Sequence, residues 1–225
     1  MLSYAEENYL KTIYKLTESS GASINTNAIA QNLETSAASV TDMLKKLAEK
    51  HLLHYEKYRG ASLTQEGNRL ATQLIRRHRL WEVFLVEKLQ FNWNEVHELA
   101  EELEHIQSVE LIDRLDNYLG NPRFDPHGDP IPNHEGKFTF QSRQPLSELE
   151  VGEWGRVLGV RDHNNEFLTF LDSQGIFIGL NVQVIEKYDY DKSTKIRKEQ
   201  GRALVLTYEV LNKILVKKSD PSVEN

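Results

Sequence analysis

Three helix-forming segments and a short basic hairpin follow one another in the N-terminal third of the chain, and this order strongly restricts the fold. The segment "SYAEENYLKTIYKLTES" carries apolar residues mainly at intervals of three and four, which predicts an amphipathic helix. "INTNAIAQNLE" predicts a short second helix capped by Asn25 or Thr26, and a third helix begins at Thr35 or Ser36. Helices joined by a turn of about three or four residues are typical of a helix-turn-helix.

The start of the third helix has the side chains that a DNA-reading helix needs. Small residues allow close approach to the major groove, hydroxyl groups can bond base edges or phosphate, and alanine methyls can meet thymine methyls. The hairpin in "LLHYEKYRGASLTQEG" adds cations that could contact phosphates. The predicted DNA-binding residues are Thr26, Ser36, Ala37, Ala38, Ser39, Thr41, Lys46, Lys57 and Arg59. Residues 1–72 are interpreted as a winged helix-turn-helix domain, although each piece alone would also fit a generic helical bundle.

The charge is unevenly distributed along the 225 residues. The net charge is −7, but residues 1–80 carry +3, residues 81–130 carry −9 and residues 131–225 carry −1. One anionic and one cationic partner are therefore both expected. The chain has no cysteine, so any metal must be held by oxygen and imidazole. No apolar run approaches the length of a membrane span and no signal peptide is recognisable, which predicts a cytoplasmic protein without a membrane partner.

The segment "VHELAEELEHI" is the centre of the acidic part and can be interpreted in two ways. At about 100° per residue, His97, Glu101, Glu104 and His105 fall within one arc of about 100° on a helix. These side chains could form a solvated helix face or a metal site. The pair His78 and Glu82, four residues apart on the preceding predicted helix, adds further donors.

Asp125 and His127 lie in the segment "RFDPHGDPIP", which proline and glycine make rigid. Oxygen and imidazole ligands without thiolates favour Mn²⁺ or Fe²⁺, and zinc or cobalt would bind in vitro. Two enzyme motifs match only in part. "HELAE" has Glu101 where the zinc-peptidase motif needs a second histidine, and Glu102-x-x-His105 occurs once where di-iron bundles need it twice.

The C-terminal part of the chain is rich in segments that predict β-strands. After a linker near "GKFTFQSRQPLSEL", residues 145–218 contain the β-rich segments "EWGRVLGVRD", "IFIGLNVQVIEKYDY" and "GRALVLTYE", and "NEFLTFLDSQG" predicts a short helix. Residues 73–140 form a helical middle region between the two. The sequence therefore predicts a mainly α protein with a small β domain at its C-terminal end.

The combination of motifs resembles the diphtheria toxin repressor family, including its manganese-responsive branch. The resemblance rests on the winged helix, His78-Arg-Leu-x-Glu82, His97, Glu101-x-x-Glu104-His105 and "PHGDPIP", and it covers nearly the whole chain. It implies a homodimeric repressor that a divalent metal activates for binding to double-stranded operator DNA of metal-transport genes. It also implies a helical metal-binding and dimerisation domain at 73–140 and an SH3-like β-barrel at 145–218.

The resemblance also implies ligand sets. The primary site would use Glu101, Glu104 and His105 with Asn8 from the first helix, and Glu101 resembles the manganese type because iron-type members have cysteine there. Two residues depart from the pattern: Asn8 offers only a neutral oxygen, and Lys11 cannot ligate a metal at neutral pH. A second site would use His78, Glu82 and His97, or instead Glu82 with Asp125, His127 and a C-terminal carboxylate. Asp162 is the candidate for that carboxylate, unless it only begins a turn.

The sequence thus predicts a repressor and not an enzyme. Two alternatives remain, namely a di-iron carboxylate metalloenzyme and a winged-helix regulator that responds to a small organic ligand.

Overall fold

The computed structural model describes residues 2–21, 23–199 and 201–219. These residues form two compact units. Unit 1 contains the chain up to Trp81, together with Ala100–Tyr118 and Ile131–Phe138. Unit 2 contains Glu82–Leu99, Leu119–Pro130 and the chain from Thr139 onward.

Unit 1 begins with three helices that carry the predicted helix-turn-helix. They are α1 (Tyr4–Ser20), α2 (Thr26–Asn32) and α3 (Ala37–Glu49). Ser3 caps α1 through a capping box with Glu6, and Ser36 caps α3 by accepting a hydrogen bond from the backbone N–H of Ser39. The predicted start of the third helix at Thr35 or Ser36 agrees with the cap Ser36, and both serine side chains satisfy N–H groups that have no partner inside their helix.

An antiparallel hairpin of β1 (Leu53–Glu56) and β2 (Gly60–Leu63) follows α3. The backbone of Ile24 forms an antiparallel bridge with Ala61 of β2 at the edge of this hairpin. Gly60 has a φ of 93°, and a Cβ there would collide with the carbonyl of Ile24, so the turn of the hairpin requires glycine. The core of this part of unit 1 is formed by Leu10, Ile13, Ile29, Val40, Leu44, Leu47 and Leu53.

Three further helices follow, namely α4 (Gln65–Glu87), α5 (Val96–Leu103) and α6 (Val109–Tyr118). The boundary between the units passes through α4 after Trp81 and through α5 after Leu99, so these two helices contribute to both units. Among the described residues, no helix is long and apolar enough to cross a membrane.

Unit 2 contains a six-stranded antiparallel sheet with the strand order β3-β8-β4-β5-β6-β7. The strands are β3 (Gln144–Pro145), β4 (Trp154–Val160), β5 (Asn181–Lys187), β6 (Thr194–Lys198), β7 (Ala203–Leu206) and β8 (Ile214–Ser219). The helices α7 (Asn165–Ser173) and α8 (Tyr208–Lys213) pack onto it through Leu168, Leu171 and Leu211. The predicted fold class, mainly α with a small C-terminal β domain, is confirmed.

A buried glutamate joins α1 to the predicted DNA-reading helix. The side chain of Glu6 is 2% exposed, and its Oε1 lies 2.6 Å from Nζ of Lys50 and 3.2 Å from Nζ of Lys46. Burial alone would raise the pKa of Glu6, but hydrogen bonds from Lys50, the Ser3 backbone and Lys46 lower it to about 2. The charged carboxylate is therefore the form that the fold stabilises.

We expect Glu6→Gln to lower the free energy of unfolding of unit 1 by about 1 to 3 kcal/mol at pH 7, because the amide cannot pair with the two lysines. The pKa of Glu6 is lower in the folded chain than in the unfolded chain. The stabilisation is therefore present above about pH 4.5 and is lost as the pH falls towards about 2. Urea unfolding of wild type and variant between pH 7 and 3 measures this difference. The exposed Glu49→Gln should change stability by less than about 0.5 kcal/mol.

Candidate metal sites and nucleic-acid interface

An open groove lies between the start of α2, the outer face of α3 and the hairpin. Four of the predicted DNA-binding residues line it, namely Thr26, Ala37, Thr41 and Lys57. Ser36, Ala38 and Ser39 are exposed in the first turn of α3. The helix start and the hairpin turn are thus both accessible from one side, as a reading helix with a flanking wing requires.

Two of the predicted cations have protein partners in this structure. Lys46 pairs with Glu6, and Nη1 of Arg59 lies 2.9 Å from Oε2 of Glu56 in an exposed pair. The groove is also lined by residues that are not among the predicted DNA-binding residues, namely Asn25, Asn27, Lys45, Tyr55 and Tyr58. Tyr58 is 93% exposed and stacks against the ammonium of Lys57, with 5.1 Å from Nζ to the ring centroid. An exposed tyrosine at a basic turn is the signal that could have identified it.

Unit 2 contains a buried cluster of possible metal ligands. Glu82, Asp125 and His127 each offer one ligand atom, and these atoms all lie within 4.8 Å of one another. All three side chains are almost fully buried. Two carboxylates and an imidazole at this spacing fit a divalent cation that prefers oxygen and nitrogen, because buried charges of one sign need a compensating charge.

The loop before Ile131 positions two of these ligands. Oδ1 of Asp125 accepts hydrogen bonds from the backbone N–H groups of His127 and Asp129, which fixes the turn. Gly128 has a φ of 86°, and a Cβ there would collide with the carbonyl of Leu158. The glycine of "PHGDP" therefore allows the loop to approach β4 closely enough to bury His127.

Two more histidines border this cluster. Nδ1 of His97 lies 3.4 Å from Oε1 of Glu82, and Nδ1 of His127 lies 3.7 Å from the same oxygen. His163 stacks on His127 with ring centroids 4.7 Å apart, and its Nε2 lies 3.7 Å from Oδ2 of Asp129. His163 is not among the residues predicted as ligands, whereas its neighbour Asp162 is.

The surroundings of His127 and His163 shift their pKa values in opposite directions. Burial favours a neutral ring at His127, but the Glu82 carboxylate, helped by Asp125 and the Trp93 carbonyl, raises the pKa of His127 to about 9. Burial lowers the pKa of His163 to about 4. The surroundings therefore favour the neutral ring of His163 and the protonated ring of His127, and a metal bound by His127 would release that proton.

Asp162 has other partners within unit 2. Its Oδ2 lies 2.9 Å from Nζ of Lys213, and its Oδ1 accepts a hydrogen bond from the backbone N–H of Asn164. Asp162 therefore begins the turn that leads into α7. Its role as a ligand remains a prediction.

In unit 1, Glu104 is the centre of a second buried cluster. Its Oε1 lies 2.5 Å from Nζ of Lys11, and its Oε2 lies 2.7 Å from Nδ1 of His78. The Lys11 ammonium also contacts Oε1 of Glu101 at 2.8 Å. Lys11 is 5% exposed and Glu104 is fully buried. An ammonium group thus lies between two carboxylates that the resemblance assigns to a metal.

The remaining members of the predicted primary site lie in the same unit. Nδ1 of His105 is 2.7 Å from Oε2 of Glu7, its Nε2 is 4.0 Å from Oε1 of Glu104, and its ring stacks on Tyr4. The buried Oδ1 of Asn8 has no hydrogen-bond partner. Glu101, Glu104 and His105 are therefore brought together with α1, but Lys11 and Glu7 contact them.

The sequence matches the models of three protein families along its length. The N-terminal DNA binding domain of the iron dependent repressor matches residues 1–61, and its metal binding and dimerisation domain matches residues 64–133. The FeoA domain matches residues 144–218.

The chain is also similar to individual proteins of the same kind. The diphtheria toxin repressor of Corynebacterium efficiens is 32% identical over 209 residues, which are 88% of this chain and 85% of that protein. The regulator MntR of Oceanobacillus iheyensis is 40% identical over 109 residues, 48% of this chain and 73% of that protein. A solved manganese-dependent transcriptional repressor in complex with manganese has a TM-score of 0.83 at 31% identity, covering 95% of this chain and all of that one. These similarities confirm the resemblance, and the chain belongs to the diphtheria toxin repressor family of iron-dependent repressors.

Proposed function

We propose that the chain is a DNA-binding transcriptional repressor that senses Mn²⁺ or Fe²⁺ and controls metal-uptake genes. It would act in the cytoplasm as a homodimer on double-stranded operator DNA. The observation that carries this proposal is the buried cluster of Glu82, Asp125 and His127 in a chain whose first domain presents a DNA-reading helix. The solved manganese-dependent repressor in complex with manganese supports metal binding by analogy.

The proposed sensing residues are Glu82, Asp125 and His127, with His97 and His163 beside them. A bound divalent ion would supply positive charge to a region rich in carboxylates. Glu82 lies on α4 and Asp125 and His127 lie on the loop, so their joint coordination would fix the loop against α4. Metal can raise DNA affinity only if this fixed arrangement is also the one that binds DNA better.

The residues proposed to contact DNA are those that line or flank the groove. The first turn of α3 would read base edges, and Lys57 and Arg59 at the hairpin would contact phosphates. Residues 81–130, with their net charge of −9, would also affect DNA affinity. Uncompensated carboxylates repel phosphates, and a bound cation reduces that repulsion.

One observation disfavours the alternative of a di-iron enzyme. Glu102, the first residue of the Glu-x-x-His motif, is exposed, whereas His105 is buried against Glu7 and Tyr4. These two residues are therefore not presented to one metal in unit 1.

A gel-shift experiment tests the proposal. The full chain is mixed with duplex DNA from upstream of its own gene in chelator, in Mn²⁺ and, anaerobically, in Fe²⁺. We expect at least about tenfold tighter retention with metal than with chelator, since typical couplings between two sites correspond to about 5- to 150-fold. Retention should also weaken steeply with added salt. Equal retention with chelator and with metal would contradict metal-dependent repression.

A further inference from the structure

Lys11 lies between carboxylates that the resemblance assigns to a metal ion. We propose that the Lys11 ammonium is the resident cation of the unit 1 pocket, so that this pocket needs no metal. The metal response of the chain then depends on the Glu82, Asp125 and His127 cluster of unit 2. This inference rests on the proposed function and adds to it that the unit 1 pocket is filled by an ammonium group and is not a second sensor.

The geometry of Lys11 is that of a buried counter-ion and not of a surface lysine. The Nζ contacts Glu104 at 2.5 Å and Glu101 at 2.8 Å, and the residue is 5% exposed. Charge-assisted hydrogen bonds of this length are strong, and removing one partner of a buried pair leaves an uncompensated charge. A divalent ion entering between the same carboxylates would be repelled by the ammonium and would have to displace it.

Several other oxygens and nitrogens of the pocket have close partners as well, whereas the buried Oδ1 of Asn8 has no hydrogen-bond partner. Oε2 of Glu104 contacts Nδ1 of His78, and Nδ1 of His105 contacts Oε2 of Glu7. Oε1 of Glu7 also contacts Nη2 of Arg77 at 2.9 Å. Ion pairs and hydrogen bonds among the protein's own groups therefore link α1 to the end of α5 and to α4 within unit 1. A metal ion is not required for this link.

The number of bound metal ions distinguishes metal binding in the unit 1 pocket from metal binding in the unit 2 cluster. The apo full chain is titrated with Mn²⁺ by calorimetry and by equilibrium dialysis, as wild type and with Glu82→Gln. We expect the substitution to remove the bound ion, because the unit 1 pocket is filled by Lys11. Glu104→Gln should leave the number of bound ions unchanged. Loss of an ion with Glu104→Gln, or a second ion retained in Glu82→Gln, would overturn the inference.

Reversing the charge of Lys11 should create a metal site in the unit 1 pocket. In the Glu82→Gln background, Lys11→Glu removes the ammonium and adds a carboxylate beside Glu101, Glu104 and His105. We expect this variant to gain one Mn²⁺ per subunit, and its thermal unfolding midpoint to rise on addition of Mn²⁺. The exposed Lys137→Glu makes the same charge change outside the pocket and should gain neither. If Lys11→Glu gains no ion although it is folded, the inference is wrong.

Lys11→Met provides a second variant in case three adjacent carboxylates prevent folding. It removes the ammonium without adding a ligand. We expect a lower unfolding midpoint in chelator and a partial recovery in Mn²⁺, again in the Glu82→Gln background. Equal midpoints of Lys11→Met and its parent in chelator would contradict a role for Lys11 as the resident cation. Failure of the proposed function would appear differently, as DNA retention that does not respond to metal in the wild-type chain.

Discussion

Replacing Glu82 with glutamine should lower the affinity for Mn²⁺ by about 100-fold or more and abolish the metal-dependent part of DNA retention. The basis is that Glu82 is 2% exposed and its Oε1 lies near Nδ1 of both His97 and His127. An amide offers one neutral oxygen in place of a charged carboxylate, and even indirect partners of a metal ligand typically contribute about 10- to 100-fold in affinity. Calorimetry with Mn²⁺ and gel shifts at matched free metal measure the two effects.

Glu98→Gln is the matched control for this experiment. Glu98 follows His97 on α5 but is exposed, so the substitution makes the same charge change on the solvent side. It should leave metal affinity and DNA retention within about twofold of wild type, as expected for a surface change. Circular dichroism should show that both variants are folded. A folded Glu82→Gln that binds Mn²⁺ as wild type does would exclude Glu82 from the sensor.

The fold could be predicted largely from local patterns. The start of α3 was predicted at Thr35 or Ser36, and Ser36 is its cap. Val40, Leu44 and Leu47, spaced by three and four residues along α3, are all fully buried. The predicted change from helical to β-rich sequence near residue 145 corresponds to the start of the six-stranded sheet. These signals depend on neighbours within one or two helical turns or on strand alternation, which the sequence displays directly.

The candidate sites were harder to predict because they depend on contacts between distant residues. Spacing predicted Glu101, Glu104 and His105 on one helix face, but α5 ends at Leu103 and the last two residues follow it in a turn. Spacing also could not show that Nζ of Lys11, some ninety positions earlier, lies between the two carboxylates. Lys11 could be identified as a departure from the family pattern, whereas its burial and its partners required the fold.

His163 shows the same limit within unit 2. A histidine followed by two asparagines carries no periodic signal, and its stacking on His127 results from how the loop before Ile131 lies against β4 and the turn that follows it. Asp162, which does have a place in the family pattern, instead pairs with Lys213. The resemblance named Glu82, Asp125 and His127 together, whereas the contacts of Asp162 and His163 could be identified only from the fold.

Introducing a carboxylate at the start of α3 should have the second large effect. We expect Ala38→Glu to weaken DNA retention by about 100-fold at saturating Mn²⁺, because like-charge juxtaposition across an interface costs several kcal/mol. Ala38 is exposed in the first turn of α3, two residues after the cap Ser36. Gel shifts and a salt titration measure the effect.

Ala5→Glu in the first turn of α1 is a closely matched control for Ala38→Glu. Ala5 is also exposed and also lies two residues after a serine cap, Ser3, in the first turn of its helix. A glutamate in a first turn interacts favourably with the helix dipole by about 0.3 to 1 kcal/mol, so neither substitution should destabilise the fold. Ala5→Glu should therefore retain wild-type DNA binding although it adds the same charge in the same local setting. If both variants lose DNA binding equally, the effect is that of net charge on the domain; if neither does, α3 is not the helix that meets the DNA.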